Sequence, residues 1–185
     1  MEEGKLSKKD IKIVIAAHKP YRMPEDTMYV PLHVGAEGKT NPDGTPLDLG
    51  YQKDNEGDNI SAKNPYYCEL TGIYYAWKNV PAEYLGLVHY RRYFKGKNKS
   101  KDPFACIVTE PEMEKIFETH RIVVPKKRKY YIETLYSHYA HTHYAEHLDC
   151  VREIIEEQCP DYLNSYDKVI KQTSGYMFNM MVMER

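Results

Sequence analysis

The sequence KIVIAAHKP occupies residues 12–20, where a short apolar run rich in β-branched side chains stops at a polar turn. This pattern predicts a buried strand over residues 12–17. A first strand that ends in a polar loop is typical of α/β nucleotide-binding domains, in which ligands bind beyond the carboxyl ends of the strands. We therefore expect His18 and Lys19 to lie at a ligand-binding edge.

The rest of the chain alternates predicted helices and strands. Strands are expected at residues 29–34, 84–88, 121–124 (buried) and 176–183, and helices at 64–79, 109–119, 132–158 (in two pieces) and 163–171. Irregular segments are expected at 35–57, at the basic loops 95–101 and 126–129, and at a turn formed by Ser174 and Gly175. This alternation predicts an α/β sandwich with a mainly parallel central sheet.

Length and composition indicate one domain at residues 11–185, after a disordered segment at residues 1–10. The chain has 185 residues, 42% of them hydrophobic, with a net charge of −1, which argues against a general nucleic-acid binder. The polar N-terminus does not resemble a signal peptide, so a cytoplasmic location is expected. The four cysteines form no CxxC pair and are expected to be free thiols. Because the sequence stops soon after an apolar strand, we also expect a C-terminal truncation.

Cationic side chains follow the predicted strand 84–88. His89, Arg91 and Arg92 come directly after it, and two arginines can hold a diphosphate through forked hydrogen bonds. The alternative is a solvated surface turn, since neighbouring side chains of an extended chain point in opposite directions.

Two further polar clusters could bind anions. Asp58, Ser61 and Asn64 stand before the predicted helix 64–79, and helix N-termini attract anions; plain helix capping is the alternative. Lys127 and Arg128 belong to the KKRK run at residues 126–129. That run suits a phosphate or an acidic lipid head group, or else forms a solvated loop, and it also resembles a nuclear localisation signal.

Metal binding has weaker support. Five histidines gather at His120, His138, His141, His143 and His147, but a site built from the last four would need a helix break. No Asp-x-Asp motif follows a strand. Asp54 and Glu56 have that spacing but stand in a predicted loop. No metal ligands are therefore assigned, and dependence on Mn²⁺ or Mg²⁺ stays open.

Several long segments resemble one protein family. IVIAAHKPYRMP, LGYQKDNEGDNISAKNPYYCELTGIYYAWKN, YLGLVHYRRYF, VPKKRKYYIETLYSHYAHTH and GYMFNMMVM together resemble the domain-of-unknown-function family 4422. This resemblance covers about residues 12–183. It implies a bacterial glycosyltransferase of capsular or exopolysaccharide synthesis, with a Rossmann-like A-type glycosyltransferase fold; some members are assigned as galactofuranosyltransferases.

The resemblance also implies roles for the candidate residues. Strand 84–88 takes the place where a metal-binding Asp-x-Asp would stand, so His89, Arg91 and Arg92 would neutralise the leaving diphosphate. His18 and Lys19 would contact the nucleotide. The remaining donor-binding candidates are Asp58, Ser61 and Asn64 for the ribose or sugar, and Lys127 and Arg128 for the phosphates. Asn179 would face the acceptor, and no catalytic base is assigned.

The implied partners are a nucleotide sugar, expected to be a UDP-sugar, and a saccharide or lipid-linked saccharide acceptor. Peripheral contact with the inner face of the membrane stays open. Three other functions remain as alternatives: a noncatalytic nucleotide-sugar-binding module, a metal-dependent hydrolase that uses the histidines, and an interaction protein that binds nucleic acid or anionic lipid through the basic loops.

Overall fold

The computed structural model describes residues 8–185, so most of the predicted disordered segment 1–10 lies outside the described residues. The described chain forms two compact units. One contains the residues up to Val124 together with Asn179–Arg185, and the other is Pro125–Phe178. The expectation of one domain at residues 11–185 stays a prediction.

Strands and helices are numbered in chain order. The strands are β1 (Ile11–Ala17), β2 (Tyr29–His33), β3 (Gln52–Lys53), β4 (Tyr84–His89), β5 (Ile122–Val123), β6 (Arg128–Lys129), β7 (Ser174–Gly175) and β8 (Met181–Glu184). The helices are α1 (Asn64–Tyr67), α2 (Leu70–Asn79), α3 (Glu110–Ile116), α4 (Leu135–Thr142), α5 (Glu146–Gln158) and α6 (Leu163–Ile170).

The first unit is built on a six-stranded sheet in the order β3-β2-β1-β4-β8-β5. Strands β3, β2, β1 and β4 pair in parallel, while β8 runs antiparallel between β4 and β5. The predicted α/β fold with a mainly parallel sheet is therefore confirmed. The carboxyl ends of β1, β2 and β4 meet at one edge of this sheet.

Strand β1 lies at the centre of the core and is covered on both faces. On one face, Ile13 and Ile15 pack with Val88 and Phe117. On the other face, Val14 packs with side chains of α2. Burial on both faces explains why this strand is a nearly continuous apolar run instead of an alternating one.

The predicted helix at 64–79 is interrupted. Cys68 has a φ of +48°, in the left-handed region, and separates α1 from α2. The Asn64 side chain donates a hydrogen bond to the Cys68 carbonyl at 2.7 Å. This bond gives a donor to a carbonyl that the break excludes from the regular helical hydrogen bonds. The predicted helix 109–119 is confirmed as α3, with its capping box at Thr109 and Glu112.

Four other details of the sequence prediction are wrong. The expected buried strand 121–124 is only the two-residue β5, and Ile122 is 55% exposed. The expected strand 176–183 begins only at Met181, because Phe178 and Asn179 have positive φ values that no strand allows. The expected turn Ser174–Gly175 is a strand, and it pairs with the second half of the expected KKRK loop.

The second unit contains three helices and the two-stranded ribbon of β6 and β7. The prediction of two helices in 132–158 is confirmed by α4 and α5, and α6 confirms the next helix. Arg152 joins α5 to α6 through two hydrogen bonds to the Asp167 carboxylate, at 2.9 and 3.1 Å. Among residues 8–185, no helix is both long and apolar enough to cross a bilayer.

Candidate functional site

The ends of β1 and β4 are brought together by the parallel pairing of these strands. Ala16 lies opposite His89 in the register, and the Tyr90 amide donates to the Ala16 carbonyl at 3.3 Å. Residues that follow the two strands therefore share the carboxyl edge of the sheet, where α/β folds bind ligands. This places His18 and Lys19 beside the segment His89-Tyr90-Arg91-Arg92, and their predicted contact with a nucleotide stays a prediction.

Three aromatic rings form the centre of this edge. The rings of Tyr21 and Tyr90 are stacked, and the His18 ring stands edge-on to both, with centroids 6.0 Å from Tyr21 and 5.3 Å from Tyr90. Tyr51 holds the Tyr21 backbone from both sides, since its hydroxyl accepts from the Tyr21 amide at 2.9 Å and donates to the Tyr21 carbonyl at 3.0 Å. The stack is thus supported by a third chain segment.

Cations surround the aromatic stack. The Arg91 guanidinium carbon lies 4.8 Å from the centre of the Tyr90 ring, and Lys19 Nζ lies 5.7 Å from that of Tyr21. Both side chains are exposed. The two arginines do not continue an extended strand: His89 and Arg92 exchange backbone hydrogen bonds at 3.2 and 2.9 Å, which closes a tight turn. Arg91 and Arg92 are both exposed in this turn, an arrangement that the alternative of a solvated surface turn also expects.

A cleft of about 530 Å³ opens beside this turn. Its volume is within the range of small-molecule sites. Arg91 and Lys95 bring positive charge to it, while the residues that line it within the described chain include no Asp or Glu. Its apolar walls are mainly aromatic and are formed by Tyr90, Tyr93, Phe94, Phe104, Pro103, Cys106 and Ile107. Such a cleft favours a flat or ring-shaped ligand that carries negative charge.

The Tyr21 hydroxyl is buried and has no hydrogen-bond partner among the described residues. Its burial raises the pKa of Tyr21 to about 12, with the Tyr90 hydroxyl as the next contribution. The phenol therefore stays protonated at neutral pH, next to the Tyr90 hydroxyl. A buried polar group of this kind gains free energy when a ligand pairs with it.

Asp54 is a buried anchor and not a metal ligand. Its Oδ2 accepts from the Gly35 amide at 2.8 Å and from the Thr71 hydroxyl at 2.7 Å, while its Oδ1 accepts from the Ala36 amide and the Ser61 hydroxyl at 3.0 and 2.5 Å. Gly35 reaches this carboxylate with a φ of +66°, which suits a glycine. Four donors occupy the carboxylate, so the Asp54 and Glu56 spacing does not form a metal-binding motif.

Of the three candidates before α2, Ser61 and Asn64 join the hydrogen-bond cluster of Asp54, and Asp58 lies apart from it. Ser61 is buried inside the Asp54 cluster, and Asn64 bonds to Thr71 in the first turn of α2 at 3.1 Å. Asp58 instead contacts the later turns, where it accepts from the Tyr74 hydroxyl at 3.0 Å and pairs with Lys78 at 3.6 Å. Their predicted contact with the ribose or donor sugar stays a prediction.

The remaining candidates have well-defined local contacts. In the second unit, Lys127 Nζ lies 5.1 Å from the centre of the Tyr176 ring, and the Arg128 guanidinium lies 5.2 Å from that of Tyr130. In the first unit, Asn179 donates to Glu69 at 2.9 Å. Their assignments to the phosphates and to the acceptor stay predictions.

Comparison with known proteins identifies the family and the fold of the chain. The family described as "Domain of unknown function (DUF4422)" matches residues 12–185. The chain belongs to this family. A solved structure described as the bifunctional glycosyltransferase WbbM in its apo form is similar to this DUF4422 member, with a TM-score of 0.81 and 29% sequence identity. The similarity covers 95% of this chain and 34% of the solved chain. No curated protein matches.

The match confirms the resemblance of the sequence to family 4422, and the similarity to WbbM confirms a glycosyltransferase-like fold for this DUF4422 member. The chain spans about a third of the length of that solved chain.

The histidines of this DUF4422 member contact carboxylates and aromatic rings. His138 and His141 each direct Nδ1 at the Glu133 carboxylate, at 3.0 and 2.5 Å, and His143 and His147 lie against the Tyr139 ring. The break between α4 and α5 that a four-histidine site requires does exist. Even so, no group of three or more His, Cys, Asp or Glu within residues 8–185 has an arrangement that could hold a metal ion.

Sequence reasoning missed several residues of the carboxyl edge. Tyr21, Tyr51 and Lys95 all contribute to it. His33 at the end of β2 is buried, and its Nδ1 has no partner within residues 8–185. The only available signal was the number of tyrosines, 18 in the chain, which does not identify individual positions.

Proposed function

We propose that this chain is the donor-binding part of a glycosyltransferase, which moves a sugar from a nucleoside diphosphate to a saccharide hydroxyl. The similarity to a bifunctional glycosyltransferase over 95% of the chain supports this class of activity. The observation that carries the proposal is the stack of Tyr21 and Tyr90, with Arg91 and Lys19 beside it. Aromatic faces suit a nucleobase, and neighbouring cations suit a diphosphate.

The reaction creates negative charge on the leaving group. An oxygen of the acceptor forms a bond to the anomeric carbon, the bond from that carbon to the diphosphate oxygen breaks, and its electron pair leaves with the nucleoside diphosphate. A base must take the acceptor proton. Arg91 and Arg92, with Lys19 and His89 nearby, are proposed to stabilise the leaving diphosphate, because charges fixed in advance lower the barrier to such a step.

The same side chains are proposed to take the place of a divalent cation. Many nucleotide-sugar enzymes use carboxylates to hold Mg²⁺ or Mn²⁺ against the diphosphate. Here the pair considered for this role, Asp54 and Glu56, includes a carboxylate whose oxygens already accept four hydrogen bonds. A site without a metal is therefore the simplest proposal.

The finer details of the proposal rest on the family. The donor is proposed to be a UDP-sugar, with galactofuranose as the sugar suggested by the resemblance, and the acceptor a growing capsular or exopolysaccharide chain or its lipid-linked precursor. His18, Asp58, Ser61, Asn64, Lys127, Arg128 and Asn179 keep their predicted roles as contacts to donor or acceptor.

Calorimetric titration of the full 185-residue chain with UDP and with UDP-sugars, in EDTA and then in Mn²⁺, tests the proposal. We expect binding that survives EDTA. Arg91→Ala/Arg92→Ala should weaken it at least about tenfold, because a charge-assisted hydrogen bond contributes roughly 1.5–3 kcal/mol. Arg121→Ala is the matched control, since Arg121 is exposed and pairs with Glu184.

Each other result has a defined meaning. Binding that requires Mn²⁺ would contradict the proposal that side chains alone, without a metal ion, neutralise the diphosphate. Equal loss in the control variant would contradict the assignment of Arg91 and Arg92. Binding of UDP-sugar by a longer protein that contains this chain, without sugar release or transfer to any acceptor, would support the noncatalytic binding module instead.

A further inference from the structure

The ribbon of the second unit carries a run of cations without nearby acids. Its members are Lys126, Lys127, Arg128 and Lys129, and β6 pairs with β7 through Arg128–Gly175 and Lys129–Ser174. No acidic residue occurs in the sequence between residues 119 and 132 or between residues 168 and 183. The nearest carboxylate along the chain, Glu133, already contacts two histidines. The positive charge of the ribbon therefore lies on β6 and the two lysines before it, while β7 carries no charged residue.

Exposed apolar side chains lie directly beside these cations. Tyr131 is 83% exposed, Ile132 is 94% exposed and Tyr176 is 56% exposed. Tyr176 lies on the side of the ribbon that also carries Lys127, since the Lys127 ammonium stands over its ring. Large apolar side chains with such exposure normally mark an interaction surface when they adjoin one another.

A strained turn holds these side chains in solvent. The Ile132 amide donates to the Tyr130 carbonyl at 2.8 Å, and Tyr131 between them has a φ of +62°. A three-residue turn with a positive φ at an aromatic residue is rare and strained. Strain of this kind is commonly found where a segment has a function, and here it displays a tyrosine and an isoleucine beside four cations.

We propose that this surface, formed by residues 126–132 and Tyr176, binds the headgroup region of an anionic lipid bilayer, which for Lys127 and Arg128 is the alternative to the donor phosphates. Lysine and arginine are attracted to negatively charged headgroups, tyrosine prefers the interface between headgroups and hydrocarbon, and an exposed isoleucine gains free energy by entering it. The surface combines both signals, which stable peripheral binding requires.

A nucleic acid fits the surface less well. Phosphate backbones use the cations but offer no apolar layer for Ile132, and the whole chain has a net charge of −1. A lipid surface uses all the features of the ribbon together.

Co-sedimentation of the full chain with phosphatidylcholine vesicles, with and without phosphatidylglycerol, tests the proposal. We expect binding only to the phosphatidylglycerol vesicles, and weaker binding in high salt. Lys126→Ser/Lys129→Ser should lower the partition coefficient about thirtyfold, since each cation near such a surface contributes roughly 1 kcal/mol. Ile132→Ser should lower it about tenfold through loss of buried apolar area.

The chain offers a matched control for each variant. Lys97→Ser/Lys99→Ser removes two lysines from the other basic segment, and Ile154→Ser removes a side chain that is 46% exposed on α5. Both controls should bind vesicles like the unchanged chain, and circular dichroism should show that all variants are folded.

Three outcomes would overturn the proposal. These are equal binding to both kinds of vesicle, equal losses in the test and control variants, and binding of duplex DNA that depends on Lys126 and Lys129 when vesicles do not bind. The last outcome would assign the ribbon to nucleic acid.

Discussion

The rings of Tyr21 and Tyr90 lie face to face, with centroids 3.7 Å apart and planes inclined by 14°. The two residues follow different strands, β1 and β4, so the stack joins the two loops that form the candidate site. Only the parallel pairing of these strands brings the rings together. The stack therefore reports whether the carboxyl edge is correctly folded, and under the proposed function it is also the contact surface for the nucleobase.

Tyr90→Leu should weaken the binding of a nucleoside diphosphate about tenfold, because stacking of a base on an aromatic ring contributes roughly 1–3 kcal/mol. Tyr90→Phe keeps the ring and should bind almost normally. Tyr66→Leu removes a tyrosine that is 89% exposed on α1 and serves as the control. Calorimetry on the three variants checks this, and normal binding by Tyr90→Leu would contradict it.

Asp54→Asn should destabilise the first unit by at least about 3 kcal/mol. The amide group has one acceptor oxygen where the carboxylate has two, so donors among Gly35, Ala36, Ser61 and Thr71 lose their partner. Glu56→Gln changes an exposed side chain with the same spacing and should be neutral. Urea denaturation measures both. If Mn²⁺ stabilised the unchanged chain but neither variant, the anchor interpretation would fail.

Stability should fall on mild acidification because of His33. Burial lowers the pKa of this imidazole below its ordinary value of 6.5, and the nearby Asp54 carboxylate opposes the shift only in part. Below pH 6.5 the unfolded chain therefore binds a proton that the folded chain resists. The neutral His33 ring therefore contributes fully to the free energy of unfolding above pH 6.5. This contribution is lost as the pH falls from 6.5 to the lower pKa of His33 in the folded state.

Proton NMR titration of the histidine ring signals checks this prediction directly, with the exposed His120 as the internal reference. A pKa for His33 at or above its ordinary value would contradict it. Unfolding curves of His33→Gln should also show a smaller loss of stability on acidification than those of His120→Gln.

Glu112→Ala should destabilise the start of α3 by about 1–2 kcal/mol. Its carboxylate accepts from the Thr109 amide at 3.0 Å and from the Lys97 amide at 2.8 Å, and these bonds lower its pKa. The stabilisation by the ionised Glu112 carboxylate is present above the ordinary pKa of glutamate. It disappears as the pH falls through the lower pKa of Glu112 in the folded state. Glu118→Ala, a change at an exposed residue just after α3, is the control, and equal thermal shifts for both variants would refute the prediction.

Local patterns predicted the elements whose signals lie within one segment. Strands β1 and β4 are apolar runs, and the Thr109 and Glu112 spacing marked the start of α3. The breaks at Cys68 and at Phe178 and Asn179 were missed, because a left-handed φ at a residue other than glycine leaves no dependable trace in the sequence. Likewise β6 and β7 depend on a partner that is distant along the chain.

The residues of the candidate site were likewise predicted only in part. Cations that directly follow a strand, such as Lys19 and Arg91, could be found because the end of a parallel strand is itself a signal. The pairing of Tyr21 with Tyr90 requires the register of two strands. The anchoring role of Asp54 requires donors from three separate segments, so its spacing to Glu56 does not reveal that role.

The segment between Ala36 and Asp54 has a consequence for protein engineering. Its tip is closed on itself, since the Leu47 amide donates to the Lys39 carbonyl at 3.0 Å and the Asn41 amide to the Thr45 carbonyl at 2.8 Å. At Gly44 a side chain would meet open space. An epitope or a fluorophore-binding peptide inserted there would leave Asp54 and its four donors in place, which makes residues 41–45 the natural attachment point for a reporter on this unit.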